Sequence, residues 1–170
     1  VALVELTPGW AVLVDCIVWA VVGVAAGYVA SRWPASRLTR DGAITRLRHF
    51  EQDGRWYERR WHIRSWKHLL PEAGSFFAGG FSKRALVSRQ TGHLQRFVIE
   101  TRRAELTHWA VLSVGPLFFL WNPWWLAVVM VVYAICANVP CIVVQRYNRA
   151  RLQRLLVSRE RRSRATRGSA

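Results

Sequence analysis

Two stretches of this 170-residue chain, 1–31 and 104–145, hold no lysine or arginine, although the protein carries 25 such residues against 10 Asp and Glu. The positive charge is confined to what lies between and after them, sixteen basic residues in 32–103 and nine in 146–167. Uncharged apolar runs of this length are what the hydrocarbon core of a bilayer requires. Their alternation with basic blocks explains how a mean hydropathy of +0.07 coexists with a net charge of +15. Such a charge also suits a nucleic-acid binder. Basic residues flanking apolar spans, however, follow the positive-inside pattern and meet anionic headgroups, so membrane lipids are the expected partners and nucleic acid is not.

Cysteine is scarce as well. Cys16, Cys136 and Cys141 all fall in apolar runs with no C-x-x-C spacing, which argues against a disulfide framework or a thiolate metal site and leaves them as small hydrophobes. The G-x-x-x-x-G-K-[ST] spacing of a phosphate-cradling loop is missing too, so Gly79-Gly80 reads as a bend or re-entrant loop at the membrane surface. No serine or cysteine stands in a recognisable nucleophile setting, which disfavours a covalent acyl-enzyme.

What is present predicts an all-α integral membrane protein, a single domain of about three transmembrane helices with its N-terminus outside and its C-terminus inside. Residues 9–30 form the first span, interrupted only by Asp15 and preceded only by Glu5. Lacking a basic n-region, it is expected to be a retained anchor and not a cleaved signal. Its Gly23-x-x-x-Gly27 face, extended by Ala20 and Ala30, invites close helix approach, within the chain or in a homo-oligomer or larger membrane complex. Residues 104–121 and 124–145 form the second and third spans, a hairpin turning at Asn122-Pro123 with Trp121, Trp124 and Trp125 at the outer interface. Segment 31–103 and the tail 146–170 then share the cytoplasmic side of a bacterial-type cytoplasmic membrane, crossed by a multi-pass protein. Aromatic residues interleaved with arginine in 31–103 (Trp33, Trp56, Tyr57, Trp61, Trp66, Phe76, Phe77, Phe81) predict amphipathic helices in the headgroup layer, or else a separately folded cytosolic lobe.

Ionisable residues inside a bilayer are costly and point to a site or a paired structural role. The run Glu100–Trp109 enters the second span without a breaker, placing Thr101, Glu105 and His108 on one helical face. The third span carries its own polar line at three-or-four spacing, Asn138, Cys141, Gln145 and Asn148 or Arg149. Counted outward from the turn, His108 lies level with Asn138 and Glu105 with Cys141, so the hairpin should bring the two polar faces together under the cytoplasmic surface. A histidine oriented by a carboxylate, Glu105 or Glu100, suits general-base catalysis; the same His108 can equally lock the hairpin by bonding Asn138 and do nothing more. Pro140 removes a backbone donor from the third span and can open that helix locally. Arg102, Arg103, Arg146 and Arg149 crowd the same rim and can hold phosphate groups, or merely snorkel. Glu105-x-x-His108 matches half of a di-metal motif with no second copy in the chain, so no metal is expected.

Three blocks resemble one known family, the glycosyl-4,4'-diaponeurosporenoate acyltransferases that complete staphyloxanthin-type carotenoids. They are EQDGRWYERRWHIRSWKHLL, IETRRAELTHW and ANVPCIVVQRYNRARL, in that order over about 50–152. The resemblance implies transfer of a fatty acyl group to the primary hydroxyl of a sugar on a carotenoid acid, or on a related glycolipid acceptor. It implies no bound cofactor and a cytoplasmic co-substrate, acyl-CoA or an acyl carrier thioester. The catalytic group would be His108 with Glu105 and Glu100, and substrate would meet Arg64, Trp66, Lys67, Arg103, Asn138, Gln145, Arg146, Asn148 and Arg149. The stretch LPEAGSFFAGGFSK has no clear counterpart in the pigment enzyme and can shape a different acceptor. Two rivals stand beside this reading: a non-catalytic subunit of a membrane complex, and another lipid-modifying transferase.

Overall fold

The computed structural model describes residues 6–51, 54–70 and 91–168. Within them the chain is helical, with no strand. Helix α1 spans Pro8–Arg32, α2 Arg55–Trp61, α3 Ile63–Trp66, α4 Thr91–Val114 and α5 Trp124–Gly168; short 3-10 turns occupy Ala35–Leu38, His49–Glu51, Lys67–Leu69 and Gly115–Leu120. Gly79-Gly80 and Phe76, Phe77 and Phe81 lie outside the described residues.

Proline at the first turn starts α1, where its missing N–H leaves nothing unsatisfied, and Trp33-Pro34 ends it. Apart from Ala11, Asp15 and Ala30 the helix buries little. Val12, Leu13, Ile17, Val21 and Val24 all stay exposed, an apolar face with no partner among the described residues. Along the small-residue face expected to receive another helix, Gly23 has open space on its Cβ side, whereas Ala30 at its end is buried.

Helices α4 and α5 form the expected antiparallel hairpin, the most extensive packing among the described residues. The second element is helical from Thr91, well ahead of 104. Its α geometry stops at Val114, where Gly115-Pro116 tightens the chain into a 3-10 turn. A Cβ on Gly115 would meet that of Ala134 at 3.3 Å, so glycine is what lets α5 pass this close. Helix α5 continues unbroken through Pro140 and past 145 to Gly168. At about 1.5 Å per residue its 45 residues run roughly 67 Å, more than twice a hydrocarbon core. Among the described residues two helices, α1 and α5, are long and apolar enough to cross a membrane; α4 is not one of them.

The two ends of α1 are pinned to the hairpin by different chemistry. Near its N-terminus, buried Asp15 accepts from Trp121 Nε1 and Asn122 Nδ2, both at 2.8 Å, while Trp19 stacks on the fully buried Phe118 with centroids 4.7 Å apart. At its C-terminus the Arg103 guanidinium caps the helix, donating to the Ala30 carbonyl and, at 2.7 Å, to that of Trp33.

The basic middle segment folds back on α5. Tyr57 and Ile63 form a core with Val143, Val144 and Tyr147, and Trp56 and Trp66 pack against it. Gly54 permits this approach: it adopts φ +70°, and a Cβ there would come within 3.3 Å of the Tyr147 ring. The aromatics expected in the headgroup layer thus divide. Tyr57 is buried against α5, whereas Trp33, Trp61 and the neighbouring Phe50 stay exposed.

Candidate functional site

A neutral cluster of two carboxylates and two guanidiniums lies where α4, α5 and the 44–51 loop converge. Glu105, fully buried, accepts from Arg146 Nη1 at 2.6 Å and faces Arg149 Nη2 at 2.5 Å. Arg146 reaches across to Glu51 with Nε at 2.8 Å and Nη2 at 2.6 Å, and also donates to the carbonyls of Ile44 and Arg46. Five contacts thus engage all three of its nitrogens, the saturated fork geometry for which arginine is suited and lysine is not. Arg149 donates to the Thr45 carbonyl at 2.7 Å, while its Nε and Nη1 find no partner among the described residues.

Glu51 also accepts from the Tyr57 hydroxyl and, at 2.5 Å, from the Arg48 amide. Burial pushes this carboxyl up, but the hydrogen bonds from Arg146, Tyr57 and Arg48 outweigh it and hold Glu51 below the usual carboxylate range. The Tyr57 phenol moves the opposite way, raised by burial and by its bond to Glu51. A carboxylate so fully occupied by donors as Glu51 is a poor proton acceptor.

His108 Nδ1 lies 3.0 Å from Asn138 Oδ1. Asn138 Nδ2 donates to the Ala134 carbonyl at 2.9 Å, which fixes Oδ1 as the atom facing the ring. An acceptor opposite Nδ1 requires the proton there, so Nε2 keeps the lone pair. The expected level pairing of His108 with Asn138 is present. The orienting carboxylate is not: Glu105 is engaged by arginines, and Glu100 bonds Arg103 at 3.1 Å. Asn138 is the group that sets the tautomer.

The other residues expected to meet substrate are dispersed. Arg103 caps α1 and Arg102 pairs with Asp41 at 2.8 Å, so these two hold the 30–41 segment against α4. Gln145 and Asn148 are half-buried, without hydrogen bonds among the described residues. Arg64 is an exposed partner of Glu58 at 2.7 Å, Trp66 donates to the Trp61 carbonyl, and Lys67 lies over the Tyr147 ring. All three belong to the lobe on α5 and stand away from the cluster.

Beside the cluster runs an apolar groove of about 870 Å³ between the C-terminal half of α1 and the middle of α4. Ala26, Val29 and Ala30 form one wall, and Leu106, Ala110 and Ser113 the other. Its polar end is made by Arg48, Glu51 and Arg146. His108 is not part of this lining; it occupies the side of α4 that faces α5. Sequence reasoning missed Glu51, Tyr57 and Arg48. The available signal was an arginine at the end of an apolar run, Arg146, needing a carboxylate that its own helix does not supply.

Residues 40–158 match the model of the family described as glycosyl-4,4'-diaponeurosporenoate acyltransferase. Relatives bearing that name in Staphylococcus aureus strains USA300, Newman and MRSA252 are each 32% identical over 139 residues, 81% of this chain and 83% of theirs. No solved structure matches. The matched region contains the whole charge cluster, His108 and Asn138; all of α1 precedes it.

Proposed function

Because the chain belongs to the glycosyl-4,4'-diaponeurosporenoate acyltransferase family, we propose that it moves a fatty acyl group from a cytoplasmic thioester to a sugar hydroxyl of a glycosylated carotenoid or related glycolipid. The observation that carries the mechanism is the Asn138-fixed tautomer of His108. In this reading Nε2 takes the proton of the attacking hydroxyl, the new C–O bond forms as the C–S bond breaks, and the proton passes to the departing thiolate. No acyl-enzyme is required.

The reading places the reaction at the inner face of a cytoplasmic membrane crossed three times, N-terminus outside. Supporting this, α4 lies antiparallel to the apolar half of α5, so a crossing by one carries the other. Asp15 ties the start of α1 to the hairpin tip, and Arg103 ties its end to the basic side. The 3-10 extension, rising about 2 Å per residue, helps 104–121 reach roughly the thickness of the core.

Purified protein given labelled acyl-CoA or acyl carrier thioester and a glycosyl-carotenoid extract is expected to yield an acylated glycolipid. His108→Ala should lower the rate about 10²- to 10⁴-fold, the usual contribution of a general base. An undiminished rate in that variant rejects His108 as the base, and no product with wild type rejects the reaction.

A further inference from the structure

Resting on that reading, we propose that the groove between α1 and α4 is the donor site, holding the hydrocarbon chain of a phosphate-bearing acyl thioester with Arg48 over its phosphate. The groove's walls are apolar along about two turns of each helix, and its residues come from both the anchor and the hairpin. Its polar end is unlike the interior cluster in one respect. Arg146 has its donors committed to Glu51, Glu105 and backbone carbonyls, whereas the exposed Arg48 side chain has no hydrogen-bond or carboxylate partner among the described residues.

An uncommitted cation at the mouth of an apolar groove selects an amphiphile whose head is anionic. A glycosylated polyene ester has a neutral head and gains nothing from Arg48. An acyl chain on coenzyme A or on a carrier's phosphopantetheine has a phosphate separated from the chain by a flexible arm, and so matches both ends of the groove. Ala110 and Ala26 matter because they are small: a bulky side chain at either would occupy the space the chain needs.

The test uses the full chain in nanodiscs of neutral lipid and measures equilibrium binding of palmityl-CoA thioether, which cannot transfer its chain. Ala110→Trp is expected to weaken binding at least tenfold. Arg48→Ala should weaken it about fivefold, with no matching loss for palmityl-pantetheine, which lacks phosphate. Both positions are exposed, so neither variant disturbs the core; if Ala110→Trp nevertheless melts early, Val29→Trp on the opposite wall replaces it. Wild-type affinity in Arg48→Ala and in the tryptophan variant overturns the assignment. So does equal displacement by phosphatidylglycerol, which would make the groove a lipid site. Binding requires no turnover, so a protein that binds the thioether but transfers nothing defeats the proposed reaction while leaving this site standing.

Discussion

Arg146 joins three parts of the chain through one planar group, and replacing it tests how much depends on that geometry. Removing one partner from a buried ion pair typically destabilises by about 3–5 kcal/mol, since the remaining charge stays buried. Arg146→Lys keeps the charge but cannot make five contacts. A loss of several kcal/mol in denaturant unfolding is therefore expected, against little change for Arg64→Ala, whose salt bridge with Glu58 is exposed. Asn138→Asp tests the tautomer from the other direction. A carboxylate opposite Nδ1 stabilises the imidazolium, so the acidic limb of the pH–rate profile should move to higher pH, whereas a purely structural His108 leaves the profile unchanged.

Among the elements, the 49–70 lobe carries a testable dependence on pH. Glu51 is held below its ordinary value of 4.5, so its contribution to stability is complete above about that pH and is lost as pH falls through the lower folded value. Trp56 and Trp66 emission should therefore report loosening of the lobe from α5 as pH falls below the ordinary carboxylate range, and Glu51→Gln should reduce the dependence while lowering stability throughout, the remainder belonging to Glu58, which the Tyr147 hydroxyl on α5 also holds below its ordinary value. Gly115 tests the hairpin: Gly115→Ala drives a methyl toward Ala134 Cβ at 3.3 Å and should cost about 1–2 kcal/mol in thermal unfolding.

The elements were also the most legible part of the sequence. Apolar length marks α1 and the start of α5, and Asn122-Pro123 marks the turn between α4 and α5. The level match of His108 with Asn138 followed from counting residues along two antiparallel helices. Glu51 was hidden because no local pattern says which loop carboxylate a distant arginine will clamp. Of the partners the sequence allows His108, spacing alone does not choose among Glu105, Glu100 and Asn138, because it places residues on a face without ranking their competitors; two guanidiniums outcompete a neutral imidazole for the buried Glu105 carboxylate.

For the whole molecule, topology is the testable statement. In a cysteine-free background, Trp124→Cys, at an exposed position of the hairpin tip, should react with an impermeant maleimide added outside intact cells, and Arg164→Cys only after lysis; the opposite result reverses the orientation. Helix α1 meets the hairpin through Asp15 and Trp19 near one end and Arg103 at the other, with the groove opening along the half nearer Arg103. On the proposed topology, a molecule dissolved in the adjoining leaflet can thus slip in sideways without any segment unfolding or swinging away. The relevant concentration is then the guest's mole fraction among lipids, so diluting it with inert phospholipid should slow the enzyme even when the amount per volume of buffer is unchanged.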